Sequence, residues 1–189
     1  MNKNKYKDLS DKEIISLIID GQQKELYSII YSRYSRKVLD KCYSLLKNRK
    51  MAEEFTEEIL VKAFEKLCGF KGAASFSSWL YSITYNYCID YLRLKKKLHY
   101  PKWSSENEIP EIIDDADEYL EDITYEKLIE IFELIHPEEK ALLLMKYHDN
   151  MSIGEIGKTL RISDDAAKMR LKRARTRVLY LYKEKFLKQ

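Results

Sequence analysis

Apolar residues recur along most of this chain with a period near 3.6, and no stretch keeps the strict alternation of a strand for long. The period is clearest near the end of the chain, where small and apolar residues recur at i, i+4, i+7 and i+11: Ala167, Leu171, Ala174 and Val178. Such a stripe lets one face of a helix pack inward. The pattern predicts an all-α fold.

Two helix starts lie close together in this last part of the chain. Ser152 and Glu155 have the spacing of a capping box, and Ser163 can cap a second helix eleven positions later. Gly157 is a small residue where the two helices would cross closely. Arg161 lies in the short turn between them, where a left-handed backbone would cost about 1 kcal/mol. The order of helix, three-residue turn and helix predicts a helix-turn-helix.

The outer face of the second helix is strongly basic. The side chains opposite its apolar stripe are predicted to meet the edges of bases in a DNA major groove, and they are Lys168, Met169 and Lys172. The flanking Arg170, Arg173 and Arg177 are predicted to contact phosphates. The alternative is a solvated basic face with no ligand.

Four helices are predicted in the first half of the chain. The first starts with a capping box formed by Ser10 and Glu13, and the second covers residues 23–46 and ends near Asn48. The third covers residues 51–67, and the fourth starts at Trp79 and continues to the basic residues that end at position 97. Four helices of this size predict a compact N-terminal domain.

The third predicted helix has apolar residues outside its inward stripe. Carboxylates and apolar side chains share this second face: Glu54, Glu57, Glu58, Leu60 and Val61. An apolar band bordered by carboxylates is typical of a surface that binds a protein with basic residues. The alternative is a helix that is buried on two sides.

Aromatic and polar residues are concentrated between residues 69 and 97. Aromatic rings beside a cationic stripe suit single-stranded nucleic acid, because each unstacked base offers a face on which to stack. The predicted contacts are Phe70, Ser75, Phe76, Asn86, Asp90 and Arg93. The alternative is that the rings belong to the core and that Asp90 pairs with Arg93 on the surface.

Charge is segregated along the 189 residues, although the net charge is only +3. Ten acidic and no basic residues lie between positions 104 and 126. Self-repulsion should keep such a stretch extended. The chain is therefore predicted to consist of an N-terminal domain (residues 1–98), an acidic linker (residues 99–123) and a C-terminal domain (residues 124–189).

Few residues suggest bond chemistry. The three cysteines are far apart and lack metal-ligand spacing, which is typical of reduced thiols in a cytoplasmic protein. The three histidines are scattered, and no phosphate-binding glycine loop is present. No apolar stretch has the length or context of a signal peptide or membrane span. The prediction is a non-enzymatic cytoplasmic protein without metal, cofactor or membrane insertion.

Together these stretches resemble the extracytoplasmic-function (ECF) family of bacterial RNA polymerase sigma factors. A-E-E-F-T-E-E-I-L-V-K-A-F-E-K-L is similar to the family segment that binds core RNA polymerase, and F-K-G-A-A-S-F-S-S-W-L-Y-S-I-T-Y-N-Y-C-I-D-Y-L-R is similar to the segment that melts and recognises the −10 element. H-P-E-E-K-A-L-L-L-M-K-Y and the helix-turn-helix resemble the family domain that reads the −35 element. The pair Glu57-Glu58, where Gln-Glu is commoner, and Ile135-His136-Pro137, where Leu usually precedes Pro, depart from the family pattern.

The resemblance implies an alternative sigma factor with core RNA polymerase and promoter DNA as partners, duplex at −35 and single-stranded at −10. It also implies an anti-sigma protein that holds the factor inactive. A free-standing helix-turn-helix regulator would explain the C-terminal domain alone, and a protein-binding helical scaffold would explain the N-terminal domain alone.

Overall fold

The structure is a computed structural model that describes residues 6, 8–21, 23–95, 97 and 124–187. All regular structure in these ranges is helical, which confirms the predicted all-α class. The chain divides into two compact units, residues 1–96 and residues 97–189. The predicted acidic linker, residues 99–123, lies outside the described residues. No helix in the described parts is long and apolar enough to cross a membrane.

The described residues of the N-terminal unit form a bundle of four helices. They are α1 (Asp11–Gly21), α2 (Tyr27–Leu46), α3 (Arg49–Glu65) and α4 (Phe76–Leu94). Short 3-10 turns, Lys24–Leu26 and Leu67–Gly69, precede α2 and follow α3. Helix α2 packs against α3 and α4, which also pack against each other. The core between them includes Ile14, Leu26, Ile30, Ile59, Leu80 and Tyr85.

Side-chain caps mark the starts of α1, α3 and α4. The Ser10–Glu13 capping box is confirmed, with the Glu13 N–H 3.3 Å from Ser10 Oγ and the Ser10 N–H 2.7 Å from Glu13 Oε2. Asn48 was expected to end α2, and its side chain instead caps α3 by accepting from the Met51 N–H. The predicted start of α4 at Trp79 was wrong by three residues: Ser75 Oγ caps the helix by accepting the Ser78 N–H, and α4 begins at Phe76.

Helix α1 is attached to α2 by a polar contact at its first turn. Arg33 Nη1 lies 2.7 Å from Asp11 Oδ1, and Arg33 Nη2 donates to the Leu9 carbonyl at 2.6 Å. The Tyr34 hydroxyl donates to the other oxygen of Asp11. Below this contact Ile14 and Ile18 enter the core. Together these contacts fix the helix on the bundle.

The C-terminal unit has four helices in its described residues. They are α5 (Tyr125–Phe132), α6 (Pro137–Leu143), α7 (Ile153–Leu160) and α8 (Asp164–Tyr182). Helices α6 and α8 each continue into a π-helical turn, Leu144–His148 and Lys183–Leu187. Pro137 takes the first position of α6 as predicted, because its missing N–H would be unpaired there. Helices α5, α6 and α7 all pack against α8, around a core that includes Ile131, Leu142, Met145, Met151, Ile156 and Ala174.

Candidate nucleic-acid and polymerase interfaces

The turn between α7 and α8 has the local structure that the helix-turn-helix pattern predicts. Ser152 Oγ accepts the Glu155 N–H at 3.2 Å, and Glu155 Oε2 accepts the Ser152 N–H at 2.8 Å. Arg161 adopts the left-handed region, with φ of 58°. The Ile162 N–H then reaches the Gly157 carbonyl at 2.9 Å. This bond and the bond from the Arg161 N–H to the Lys158 carbonyl, at 3.4 Å, close a Schellman turn, which satisfies two of the last carbonyls of α7.

Gly157 permits the close approach of α7 to the start of α8. A Cβ built at this position would lie 3.0 Å from the Ile162 carbonyl oxygen and 3.0 Å from Asp164 Oδ1. One of these two neighbours is backbone, so a methyl group here would require the turn to shift by a few tenths of an ångström. The structure thus shows a close approach at Gly157, as expected from the small residue at this crossing.

Helix α8 separates its buried stripe from an exposed basic face. Ala167, Leu171, Ala174 and Val178 are all buried, as their spacing predicts. On the opposite side Lys168, Met169 and Lys172 are exposed, with 51% of Met169 accessible. Lys168 Nζ lies 3.4 Å from Asp165 Oδ1, which is itself exposed. The three side chains predicted to meet base edges therefore share one accessible surface, which we call the recognition face.

The flanking arginines of α8 do not share this exposure. Arg170 Nη1 lies 3.1 Å from Glu138 Oε1 of α6, so its predicted phosphate contact stays a prediction with which this ion pair competes. Arg173 and Arg177 are half-buried. The Nε of Arg173 is buried and has no hydrogen-bond partner among the described residues. The cations of α8 are therefore of two kinds: Lys168 and Lys172 are exposed, whereas Arg170 is half-buried and contacts a carboxylate of α6. Only contacts between helices distinguish the two kinds.

The acidic neighbour is the first turn of α6. Glu138 and Glu139 are both buried there, at the positive end of the helix dipole. Burial raises the pKa of the Glu139 carboxyl, while a hydrogen bond from the His136 N–H and the charge of Arg177 act in the opposite direction. The sequence pattern places both carboxylates at the start of a helix but does not indicate that Glu138 contacts α8.

Helix α3 presents four side chains on one exposed stripe. Glu54, Glu57, Glu58 and Val61 are spaced i, i+3, i+4 and i+7, and 56% of Val61 is accessible. Leu60 is only 1% exposed, so its prediction as a surface contact was wrong. It is buried because α3 packs against both α2 and α4, which widens the inward face of the helix.

Two tyrosines hold carboxylates of this stripe. The Tyr31 hydroxyl donates to Glu57 Oε1 at 2.5 Å, and the Tyr87 hydroxyl donates to Glu58. The hydrogen bond to Glu57 is the largest of the effects that raise the pKa of Tyr31. The pKa of Tyr87 is raised to about 12, mainly by burial and secondly by the hydrogen bond to Glu58. No sequence signal identified either tyrosine, because each bond joins residues more than twenty positions apart.

An open groove runs between α2 and α3 on the side of Tyr31. Its volume is about 500 Å³, and three carboxylates are among the residues that line it: Tyr31, Ser35, Arg36, Leu39, Glu53, Glu54, Thr56 and Glu57. One carboxylate of the groove is paired within its own helix: Glu53 Oε1 lies 2.6 Å from Nε of Arg49 in α3. The groove and the exposed stripe of α3 together form an acidic surface, which we call the acidic face.

The segment between α3 and α4 contains an aromatic cluster. The ring centroids of Phe70 lie 5.3 Å from Trp79 and 5.7 Å from Phe76. Phe76 is only 5% exposed and also packs against Tyr34, so it is a core residue and its predicted contact with DNA was wrong. Phe70 is half-buried, and Ser75 is exposed at the helix cap.

Helix α4 carries the remaining predicted contacts. Asn86, Asp90 and Arg93 lie on one stripe and are all half-buried. Tyr87 and Tyr91 pack edge-on against Phe55, with centroids 4.8 Å and 5.1 Å away. These two rings belong to the contact between α3 and α4. Among the described residues there is also no group of three or more metal-ligating side chains.

Comparison with known proteins identifies both units. The family described as sigma-70 region 2 matches residues 30–98, and the family described as sigma-70 region 4 matches residues 125–178. The chain is 28% identical to the ECF RNA polymerase sigma factor SigW of Bacillus subtilis, covering 87% of this chain and 92% of that protein. It is 20% identical to the ECF sigma factor SigX of the same organism, over 77% of each protein.

Two solved structures share the fold. One shows CnrH in complex with the cytosolic domain of CnrY, with a TM-score of 0.61 and 16% identity over 93% of this chain and 98% of that chain. The other shows the sigma factor RpoE in complex with the anti-sigma factor NepR from Bartonella quintana, with a TM-score of 0.58 and 14% identity over 84% of this chain and 98% of that chain. With both regions matched in order, the chain belongs to the extracytoplasmic-function family of RNA polymerase sigma factors, alternative subunits that direct the polymerase to promoters.

Proposed function

We propose that three surfaces of this sigma factor divide the work of transcription initiation. The recognition face of α8 reads the −35 element as duplex DNA, and the acidic face of α3 binds core RNA polymerase. The segment after α3 and the outer stripe of α4 hold an unpaired base of the −10 element. In this proposal residues 1–98 and 124–189 are separate domains joined by the acidic residues 99–123.

The observation that carries the proposal is the two-sided character of α8. Its apolar stripe is buried, while Lys168, Met169 and Lys172 project from a capped helix of a helix-turn-helix. A helix placed in this way can enter a major groove, where Lys donates to guanine and an apolar side chain contacts a thymine methyl group. Arg173 and Arg177 lie beside this face and are the candidates for phosphate contacts.

Core polymerase binding is assigned to the acidic face because it combines charge with exposed apolar area. Glu54, Glu57 and Glu58 surround Val61 on the outer stripe of α3. Carboxylates favour a partner surface rich in Lys and Arg, and they raise the rate of encounter as well as its specificity. Val61 supplies apolar area that would be removed from water on binding.

Base capture is assigned to Phe70, Ser75, Asn86, Asp90 and Arg93. Unstacking a base costs a few kcal/mol, which contacts to the extruded base and to the polymerase must offset. The ring of Phe70 can stack on a base, and the amide of Asn86 can pair with a base edge. The protein itself performs no bond chemistry in this scheme.

An anti-sigma protein is a further proposed partner. The two solved structures hold CnrH with the cytosolic domain of CnrY, and RpoE with the anti-sigma factor NepR. A related protein would hold this chain inactive by covering the surfaces that bind polymerase and DNA. The proposed location is the cytoplasm, where polymerase and chromosome are found.

Transcription with purified core RNA polymerase tests the proposal. Start-site-specific RNA that depends on this chain is the expected result. Tight binding to duplex DNA without polymerase would instead indicate a free-standing regulator, and absence of both activities would indicate a scaffold.

Two matched variants separate the assigned surfaces. Lys172→Ala should lower transcription from a −35-dependent promoter about tenfold and leave core binding intact. Val61→Asp should weaken core binding about tenfold and leave the bases required at −35 unchanged. Equal loss of both properties in either variant would contradict the division.

A further inference from the structure

An ion pair between a buried carboxylate and a half-buried guanidinium joins the first turn of α6 to the recognition helix. Arg170 Nη1 lies 3.1 Å from Glu138 Oε1, and the side chains of the two residues are 25% and 1% exposed. Removing one partner of such a pair leaves a buried charge without compensation, which is far more costly than losing a surface ion pair. The pair therefore resists any rotation or sliding of α8 that would separate its two members.

The position of Arg170 within α8 makes this restraint relevant to DNA reading. Arg170 directly follows Met169 and lies two residues from both Lys168 and Lys172. Successive residues of a helix are about 100° apart around its axis, since a turn has 3.6 residues. Fixing the direction of Arg170 toward α6 therefore fixes the direction in which the recognition face points.

Glu138 itself is held on a rigid element. Its N–H donates to His136 Nδ1 at 3.2 Å, and the His136 N–H lies 3.3 Å from Glu139 Oε2. Pro137 sets the backbone at the first position of the helix. The carboxylate is thus anchored by a capped helix start, and a displacement of Arg170 cannot be absorbed by movement of a loop.

We propose that Glu138 and Arg170 are positioning residues for −35 reading: their ion pair sets the rotation of α8, and Arg170 acts through the recognition face without touching DNA. This inference rests on the proposed function of α8 in the major groove.

The competing role for Arg170 is a direct phosphate contact, and the two roles predict opposite effects of Glu138. If Arg170 bound a phosphate, Glu138→Gln would free the guanidinium and remove a nearby negative charge, so promoter binding would be unchanged or tighter. Loss of Arg170 would also reduce the dependence of log K on log salt by about 0.9. If the pair positions the helix, both changes weaken −35 reading and neither alters the salt dependence.

The experiment uses the full chain assembled with core RNA polymerase. Transcription is measured from a promoter that depends on this chain and from the same promoter with its −35 bases replaced, and the ratio reports −35 reading. We expect Glu138→Gln and Arg170→Gln each to lower the ratio about tenfold, and the double variant to lower it no further, because they remove one shared interaction. Core binding and transcription from the −35-replaced promoter should stay unchanged.

A milder variant covers the case in which the glutamine variants do not fold. Glu138→Asp keeps the charge and withdraws the carboxylate by one methylene, so we expect it to lower the ratio about threefold at unchanged helical content. An unchanged or higher ratio in Glu138→Asp or Glu138→Gln would overturn the inference, as would a lower salt dependence in Arg170→Gln.

Lys172→Ala distinguishes failure of this inference from failure of the proposed function. If Lys172→Ala lowers the ratio while the Glu138 variants do not, α8 reads the −35 element and only the positioning role is wrong. If Lys172→Ala leaves the ratio unchanged, the recognition face itself is misassigned.

Discussion

The Tyr31 hydroxyl of α2 donates a 2.5 Å hydrogen bond to Glu57 Oε1 of α3. The bond joins two residues that line the groove of the acidic face, and it orients one of the carboxylates that we assign to polymerase binding. Tyr31 and Glu57 therefore act together. Glu57 belongs to the surface that the sequence predicted, whereas Tyr31 was not identified from the sequence.

Tyr31→Phe should weaken binding to core RNA polymerase about tenfold, because a hydrogen bond to a charged group contributes about 1.5 kcal/mol. The change removes only the hydroxyl and keeps the ring. Affinity is measured by titrating labelled protein with core polymerase at low ionic strength. Tyr43→Phe is the matched control, since Tyr43 lies on the same helix and is exposed. Equal affinity of the Tyr31→Phe variant and the unmodified protein would show that Glu57 needs no such support.

Gly157→Ala should destabilise the C-terminal unit by about 1–3 kcal/mol, because its methyl group would lie 3.0 Å from the Ile162 carbonyl. Gly154→Ala in the same helix is the control. Its methyl group would meet only Asp164 Oδ2 at 3.8 Å, so the better helix propensity of Ala should leave stability unchanged or raise it by up to about 1 kcal/mol. Hydrogen exchange of amides in α7 and α8 measures both changes. The same protection in the two variants would contradict close packing at the turn.

The three cysteines should differ strongly in reactivity. Cys42 and Cys88 are buried with their sulfur atoms 3.7 Å apart, whereas Cys68 is exposed. Contact with Cys42 and burial both raise the pKa of the Cys88 thiol, which lowers its thiolate fraction. With a chromogenic disulfide reagent at neutral pH, we expect Cys68 to react first and the other two only after denaturation. Rapid reaction of the Cys68→Ser variant would contradict this order.

The buried Glu139 carboxyl should make the C-terminal unit less stable as pH rises. Its pKa is raised from 4.5 in the folded state, so the folded state binds its proton more tightly than the unfolded state. The resulting stability is fully present below about pH 4.5 and is lost as pH rises through the raised pKa. Glu139→Gln should flatten this part of the profile, measured by denaturant unfolding between pH 4 and pH 7. Glu126→Gln, at an exposed position of α5, is the control. An unchanged slope in Glu139→Gln would contradict the assignment.

Several features of the fold were predictable because their causes are local. The capping boxes at Ser10 and Ser152 and the cap at Ser163 join residues three positions apart, so their signals are readable in the sequence. The same holds for the buried stripe of α8 and for Pro137 at the start of α6. Two boundaries were predicted less well: Ser75 starts α4 three residues before the predicted position, and Asn48 caps the start of α3 where it was expected to end α2.

The width of a buried face was not predictable, since it depends on how many elements pack on a helix. Leu60 and Val61 are neighbours in α3, yet one is buried and the other exposed because both α2 and α4 cover one side of the helix. The number of elements that pack around a residue likewise separates Phe76, which is buried, from Phe70, which lies beside it and is half-buried.

What the sequence alone determined about this protein is its helical periodicity, its caps and the order of two sigma regions, all of which depend on residues within a few turns of one another. What only the tertiary structure decided is the role of individual charges. Arg170 and Lys172 look equivalent along α8, but a carboxylate 32 positions away binds one of them and leaves the other exposed. Such pairing depends on the packing of α6 against α8, and no spacing along the chain encodes it.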